Sequence, residues 1–187
     1  MKFRLDEIAL QLLTRISAEV NSPRDGERTR QLSRVLEGVA ASLEDTENPG
    51  LALYGKFSNG EWMGIDFWWW FRNDNEERGL LAAESQWWNP RWDDKRNEAE
   101  ILEDFWKLPS LKSDVKLMVF SAPDNCGQSL IEKFRQYLSR FSQHTKNERY
   151  LVVWLSSDGQ HRSFLQSKIL DTGKVTALAF DTLTLYR

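Results

Sequence analysis

Two carboxylates in the middle of the sequence stand in runs that otherwise have the character of protein core. Asp66 lies within Ile65-Asp66-Phe67-Trp68, and Glu84 follows the alanines of the run 82–86. Successive side chains of a β-strand face opposite sides of its sheet, so each acid has apolar neighbours on both sides. An ionised carboxylate buried without a partner is costly and requires a cation, hydrogen-bond donors or an edge position. If the two strands are neighbours, one divalent ion could satisfy both carboxylates.

Further polar groups follow at spacings that bring them toward the same place. Gln86 shares a strand face with Glu84, roughly 6.6 Å further along. Glu100, Asp104 and Lys107 fall on one face of the next predicted helix, at spacings of four and three. We expect Lys107 to reach back to the strand ends. The alternative is that these three residues form an exposed row of mutually compensating charges.

The apolar spacing predicts the helices that must position these residues. Leu5 to Val20 and Glu27 to Leu43 each carry an apolar stripe at helical period. The stretch Trp92 to Lys107 is predicted to be helical in its second half, since Pro109 closes it. Leu130 to Phe141 is the last amphipathic segment.

Strand signals lie between these helices. Leu51 to Phe57, Glu61 to Phe71 and Leu80 to Trp88 predict an antiparallel meander. Val115 to Phe120 and Tyr150 to Leu155 are continuous apolar runs of the kind found in buried strands. The helix between these last two strands predicts a crossover unit.

The C-terminal part alternates between apolar and polar residues. Ser163 to Leu170 and Val175 to Leu185 flank the turn signal Asp171-Thr172-Gly173, which predicts a β-hairpin. The whole order indicates an α/β fold with a mixed central β-sheet flanked by helices. We expect one domain over 1–187, with N-terminal helices in 5–43, a core in 51–155 and a hairpin in 161–186.

The order of these parts resembles the PD-(D/E)xK, or restriction-endonuclease-like, nuclease superfamily. Its core runs helix, three-stranded meander, helix, strand, with an acid on the second strand and an acid-x-lysine on the third. The chain is also similar to small bacterial proteins of this fold with an A-x-E-S-x-W strand, then D-F-x-K-L, then an apolar strand. Here these motifs are the runs 82–87, 104–108 and 116–120. The resemblance covers roughly Glu27 to Leu155.

The resemblance implies catalytic roles for Asp66, Glu84, Gln86 and Lys107, and a metal site at Asp66 and Glu84. The cofactor would be Mg²⁺ or Mn²⁺, and Glu37 corresponds to an extra acidic ligand of some members. One departure is Gln86, which stands where the signature has lysine. Some members deliver that lysine from a neighbouring helix, and Lys107, with Asp104 beside it, is the candidate here.

Composition limits the other possibilities. The formal charge of −3 argues against nucleic-acid binding by bulk electrostatics, so any such binding must be local. Arginines do collect between Arg24 and Arg34 and again, with lysine, between Arg135 and Arg149, as solvated helix faces or as a phosphate track. The single cysteine, Cys126, excludes an internal disulfide and a zinc site of several thiolates. We see no export signal and no membrane segment, and expect a cytoplasmic location.

Eight of the nine tryptophans lie between Trp62 and Trp106. Trp68 shares the strand parity of Asp66, and Trp88 shares that of Glu84, so these rings could line a groove and stack on bases. The alternative is that the tryptophans pack helices onto the sheet or fill a partner interface.

Three functions remain open from the sequence. The first is a metal-dependent phosphodiesterase or nuclease-like protein in bacterial nucleic-acid metabolism or defence. The second is a catalytically inactive nuclease-fold domain that binds a protein or nucleic acid through a tryptophan-rich face. In the third, the acids are hydrogen-bonded core residues of an interaction protein. Nucleic acid, a protein partner or a second copy are the partners considered, and no membrane.

Overall fold

The helices of the protein pack around one central sheet. We describe it from a computed structural model, which covers residues 5–47, 51–55, 64–144, 148–156, 161–166 and 180–185. Its α-helices are α1 (Leu5–Glu19), α2 (Asp25–Glu47), α3 (Asp94–Lys107) and α4 (Asp124–Arg140), and a 3₁₀ turn (Leu108–Ser110) follows α3. Within these ranges, no helix has the length and apolar character that crossing a membrane requires.

Within the described residues, seven strands form the sheet, and their order across it is their order along the chain. They are β1 (Leu51–Gly55), β2 (Phe67–Arg72), β3 (Glu77–Gln86), β4 (Ser113–Ala122), β5 (Arg149–Ser156), β6 (His161–Gln166) and β7 (Phe180–Leu185). The strands β1, β2 and β3 pair antiparallel, whereas β3, β4 and β5 pair parallel, with α3 and α4 in the two connections. The strands β6 and β7 continue the sheet in antiparallel pairing.

The predicted α/β class, the meander and the crossover through α4 are confirmed by these pairings. The second strand was expected from Glu61, but β2 begins at Phe67, and 61–63 lie outside the described residues. The predicted turn at 171–173 and the adjoining ends of its two strands also lie outside them.

Strand parity separates the core into two layers. Odd-numbered side chains such as Phe67, Ala83 and Leu117 pack with the apolar stripes of α1 and α2. Even-numbered side chains such as Ala82 and Met118 pack with α3 and α4. Asp66 and Glu84 are even-numbered, and the helix that delivers Lys107 packs in the second layer.

The helix α3 is longer than predicted. It begins at Asp94 rather than in the second half of the stretch from Trp92, because Asp93 caps it by accepting a hydrogen bond from the backbone N–H of Arg96 at 2.7 Å. The side chain of Asn97 is buried, donates to the carbonyls of Asn89, Trp92 and Asp93, and accepts from the backbone of Asn89. Polar residues therefore set the start of a helix whose apolar stripe begins only at Ile101.

The helix α4 also begins earlier than predicted, at Asp124 instead of Leu130. Its first turn carries Gly127, where a Cβ atom would stand 2.0 Å from the indole of Trp154. The indole N–H of Trp154 in turn donates to the carbonyl of Ala122 at 3.0 Å. The helix therefore crosses β5 at a distance that only glycine permits.

A buried ionic network joins β4, β5 and the residues after α4. Lys116 donates to Glu148 at 2.6 Å, to the Pro109 carbonyl at 3.3 Å and to the Tyr150 hydroxyl at 3.2 Å. The ring of His144 contacts Glu148 through Nδ1 and the Leu138 carbonyl through Nε2. Both charged side chains of the Lys116–Glu148 pair are at most 1% exposed, so their pairing offsets part of the cost of burying the two charges.

Candidate active site

The first acid of the site lies at the entrance to β2. Gly64 has a φ of 72°, a left-handed conformation that glycine adopts without strain, and Asp66 precedes β2 by one residue. The register pairs Phe67 with Ala83, so Asp66 reaches the level of Glu84 and Ser85 on β3. Its Oδ2 accepts hydrogen bonds from the Ser85 backbone N–H at 3.0 Å and hydroxyl at 2.7 Å. The sequence predicted Asp66 within the strand, whereas it lies at the strand's start.

The second acid, Glu84, is buried in the middle layer of the sheet. Its side chain is 2% exposed, and Oε1 accepts no hydrogen bond within the described residues. The nearest cation is the ammonium of Lys107, 3.5 Å from Oε1. Burial, together with the charges of Asp66 and Asp104, raises the pKa of Glu84 to about 8, although Lys107 opposes the rise. At neutral pH this carboxyl group is therefore mostly protonated in the absence of a further cation.

Lys107 links Glu84 to the helix that follows. Its Nζ donates to Oδ1 of Asp104 at 2.7 Å, one turn earlier on α3. Burial lowers the pKa of Lys107, but the hydrogen bond to Asp104 and the charge of Glu84 outweigh it and leave the pKa above its ordinary value. Burial also raises the pKa of Asp104, partly offset by Lys107. The expected approach of Lys107 to Glu84 is confirmed. We refer to Asp66, Glu84, Asp104 and Lys107 as the acidic site.

The remaining predicted catalytic and metal-binding residues are Gln86 and Glu37. Gln86 is the half-buried last residue of β3, paired with Phe120 of β4. Glu37 is exposed on α2, which packs in the opposite core layer, and accepts a hydrogen bond from Ser33 at 2.9 Å. The structure therefore does not bring Glu37 to the acids as the resemblance implied.

Half of the described tryptophans belong to the core. Trp68 is 2% exposed and its ring stacks against Trp70 at a centroid distance of 6.0 Å. Trp87 is buried and donates to the hydroxyl of Thr29. Trp88 is half-buried, and Trp106 is 48% exposed beside Tyr137. Packing therefore accounts for Trp68, while Trp88 and Trp106 keep surface on which a ligand could stack.

The donor set suits a hard divalent cation. Asp66 and Glu84 offer carboxylate oxygens, the ligands that Mg²⁺ and Mn²⁺ prefer, and one Glu84 oxygen is buried without a hydrogen bond. Among the described residues, no three His, Cys, Asp or Glu side chains are grouped to hold a metal ion. Two carboxylates are sufficient for Mg²⁺, which keeps several waters in its coordination sphere.

Two site residues were missed by the sequence analysis. Ser85 holds Asp66 through both its hydroxyl and its backbone, and its place beside Glu84 was the only available signal. Asn97 ties α3 to the loop after β3, and a buried polar residue in the first turns of a helix gives no periodic signal. Ser85 positions Asp66, and Asn97 positions the helix that carries Asp104 and Lys107.

No family model matches this chain, and no curated protein matches it significantly.

Proposed function

We propose that the protein is a metal-dependent phosphodiesterase of the PD-(D/E)xK type, acting on nucleic acid. The observation that carries the proposal is the 3.5 Å approach of Lys107 to Glu84. Position 86 carries glutamine, so the cation that this chemistry needs must come from another element. The helix α3 places the ammonium of Lys107 beside Glu84, which the resemblance implies as a metal ligand.

The order of elements supports the same proposal. A helix, the meander β1 to β3, the helix α3 and the parallel strand β4 occur in the order of the restriction-endonuclease-like core. Asp66 lies one residue before β2 and Glu84 lies near the end of β3, and this nearness supports the arrangement that the resemblance implies. We extend the proposal to β6 and β7 as a C-terminal hairpin attached to this core.

Each residue of the acidic site has a role in this chemistry. Asp66 and Glu84 would hold Mg²⁺ or Mn²⁺, which supplies polarisation of the scissile phosphate. Lys107, kept protonated by its neighbours, orients the attacking water or stabilises the charge that develops on the phosphate. Asp104 is a positioning residue, since it holds the Lys107 ammonium beside Glu84. Ser85 fixes the orientation of Asp66.

A second candidate is an inactive domain of the same fold that binds a partner. Gln86 and the net charge of −3 favour it, because neither helps to bind or cleave a polyanion. The binding surface would be the exposed Trp106 with the half-buried Tyr137 beside it, whose ring centroids lie 5.9 Å apart. Cleavage activity separates this candidate from the first.

The test is cleavage of labelled single- and double-stranded DNA and RNA by the purified chain, with Mg²⁺ or Mn²⁺ and with a chelator. We expect cleavage with metal, none with chelator, and losses of at least a hundredfold in Asp66→Asn and Lys107→Ala. Lys95→Ala is the matched control, because Lys95 is an exposed lysine of the same helix. Absence of cleavage on all four substrates with either metal would contradict the proposal and favour the inactive domain.

A further inference from the structure

A second polar site lies outside the acidic site, at the carboxyl ends of the parallel strands. A cleft of about 370 Å³ is bounded by the start of α2, the ends of β4 and β5 and the segment after β3. We call it the sheet-end cleft; its lining includes Pro23, Arg28, Trp88, Ser121, Pro123 and Ser156. Ligands of α/β proteins commonly bind in the crevice beyond the carboxyl ends of the strands.

Arg28 is held in the cleft with part of its guanidinium unused. Its Nε donates to the carbonyl of Ser22 at 2.6 Å, and Nη1 donates to the hydroxyl of Ser121 at 3.3 Å and to Oδ1 of Asp25 at 3.5 Å. The guanidinium also lies 5.6 Å from the ring centroid of Trp87. No described residue accepts a hydrogen bond from Nη2. An arginine fixed in this way offers the N–H groups of its preorganised Nη2 to an oxyanion.

Ser121 supplies a second donor. Its hydroxyl oxygen accepts from the backbone N–H of Trp88 at 2.9 Å as well as from Arg28. Two accepted hydrogen bonds occupy the oxygen's lone pairs, which leaves the hydroxyl proton to donate. No described residue accepts a hydrogen bond from it. Ser121 is 8% exposed and lines the cleft, so this proton is available to a ligand there.

The start of α4 adds to the positive character of the cleft. Pro123 precedes the helix, lines the cleft, and has no side chain that can cap the first backbone N–H groups. Uncapped N–H groups at the beginning of a helix of this length favour an anion. Two carboxylates oppose this: Asp25 lines the cleft 3.5 Å from Nη1 of Arg28 and is half-exposed, and Asp124 lies in the first turn of α4.

Trp88 determines what kind of anion fits. Its ring is half-buried at the cleft, and no described residue accepts a hydrogen bond from its indole N–H. An aromatic face beside an anion site suits a base joined to a phosphate. Across Pro23, a neighbouring hollow is lined by Arg24, whose exposed side chain makes no ion pair within the described residues.

We propose that the sheet-end cleft binds a nucleotide, with the phosphate on Arg28 and Ser121 and the base against Trp88. The inference goes beyond the proposed function, since this binding needs neither carboxylate of the acidic site. A free mononucleotide and the terminal nucleotide of a single strand present the same chemistry. Trp88 is only four residues after Glu84, at most about 14 Å of extended chain. A single-stranded nucleic acid could therefore span the acidic site and the sheet-end cleft.

The first experiment follows the indole N–H resonance of Trp88 by NMR in the full chain, assigned by its loss in Trp88→Phe. We titrate 5′-AMP, inorganic phosphate and a short single-stranded oligonucleotide in separate arms, at low salt. Both nucleotide ligands should shift the resonance, and 5′-AMP should bind at least tenfold more tightly than phosphate. If the oligonucleotide binds more tightly than 5′-AMP, the ligand is a single-stranded nucleic acid. If 5′-AMP binds more tightly, the ligand is a free nucleotide.

The second experiment uses variants of the same helix and calorimetry. Arg28→Gln should weaken 5′-AMP binding at least tenfold, whereas Asp25→Asn should strengthen it by removing the opposing charge. Arg34→Gln, an exposed arginine of α2, should leave it unchanged. A Trp88 resonance unmoved by millimolar nucleotide, or equal affinities for phosphate and 5′-AMP, would overturn the assignment. So would equal effects of the Arg28 and Arg34 substitutions in folded protein.

Discussion

The ammonium of Lys107, at the end of α3, lies 3.5 Å from a buried oxygen of Glu84 in β3. Asp104 holds the same ammonium at 2.7 Å from the helix side. One cation therefore faces two carboxyl groups, and with Asp66 a third acid acts on Glu84 through its charge. Negative groups exceed positive ones within the acidic site, which is the electrostatic condition for taking up a further cation.

Divalent metal should stabilise the wild-type protein. Binding to the native state adds about 2.7 kcal/mol at a metal concentration a hundredfold above the dissociation constant. For a chain of this size that corresponds to a rise in Tm of about 5 to 10 °C with Mg²⁺ or Mn²⁺. Asp66→Asn and Glu84→Gln should abolish the rise in thermal unfolding experiments. Glu103→Gln, an exposed acid of α3, is the control and should retain it.

The rise in Tm with metal, taken together with cleavage, also distinguishes the nuclease from a protein in which the acids are only core residues. Lys107→Ala should keep the rise in Tm while losing cleavage, because metal binding needs only the carboxylates. If millimolar metal leaves the Tm of the wild type unchanged, the acids serve as core residues and the nuclease proposal fails.

Glu84 should make stability depend on pH. Its pKa is about 8 in the folded protein against an ordinary 4.5, so the native state binds more protons than the unfolded state between these values. The free energy of unfolding therefore falls as pH rises from about 4.5 to 8. Glu84→Gln should remove this part of the pH dependence. At pH 9 without metal, its free energy of unfolding should exceed that of the wild type by about 2 to 4 kcal/mol.

Denaturant unfolding across that pH range provides the measurement. Glu103→Gln should follow the wild-type slope, since Glu103 is exposed. Metal binding to a protonated Glu84 must release a proton, so the apparent metal affinity should rise with pH up to about 8. Equal slopes in wild type and Glu84→Gln would show that Glu84 is already ionised at neutral pH.

The buried pair of Lys116 and Glu148 should be strongly coupled. Lys116→Met removes the ammonium that pairs with the buried Glu148 carboxylate beside His144 and Tyr150, and should cost about 3 to 5 kcal/mol. The double variant with Glu148→Gln should cost less than the sum of the two single variants. Unfolding in guanidinium chloride measures the free energies of the wild type, the two single variants and the double variant. Lys112→Met, at an exposed lysine of the preceding loop, should stay within about 0.5 kcal/mol of wild type.

Two glycines near the starts of helices should respond in opposite directions to alanine. Gly127→Ala places a methyl group against the Trp154 indole and should destabilise by about 1 to 3 kcal/mol. Gly26→Ala meets nothing within 4 Å and should stabilise by about 0.4 to 1 kcal/mol. Denaturant midpoints compare the two, and equal effects would contradict the close crossing of α4 over β5.

Element types could be predicted from the sequence because apolar periodicity and turn residues determine them locally. The meander and the crossover followed from such patterns, and the approach of Lys107 followed from the order of its helix and strand. The starts of α3 and α4 were missed, because caps and a polar first turn add no apolar period. The side-chain contact of Ser85 with Asp66 depends on strand register, which periodicity does not supply.

Long-range polar partners were the least predictable part of the molecule. Lys116 and Glu148 are far apart in sequence, and nothing at either position indicates the other. The positions of the tryptophans were also ambiguous, since a ring that packs in the core and a ring that stacks on a base have the same strand parity. Burial of Trp68 and partial exposure of Trp88 emerge only once the helices are placed.

The identical order of the strands in the chain and in the sheet has a consequence for biosynthesis. Each strand pairs with the one made just before it, so the sheet can grow at one edge as the nascent chain leaves the ribosome. No strand must be inserted between two that have already paired. The antiparallel neighbours close short connections, whereas the parallel pairs β3–β4 and β4–β5 join residues 34 apart and should form more slowly.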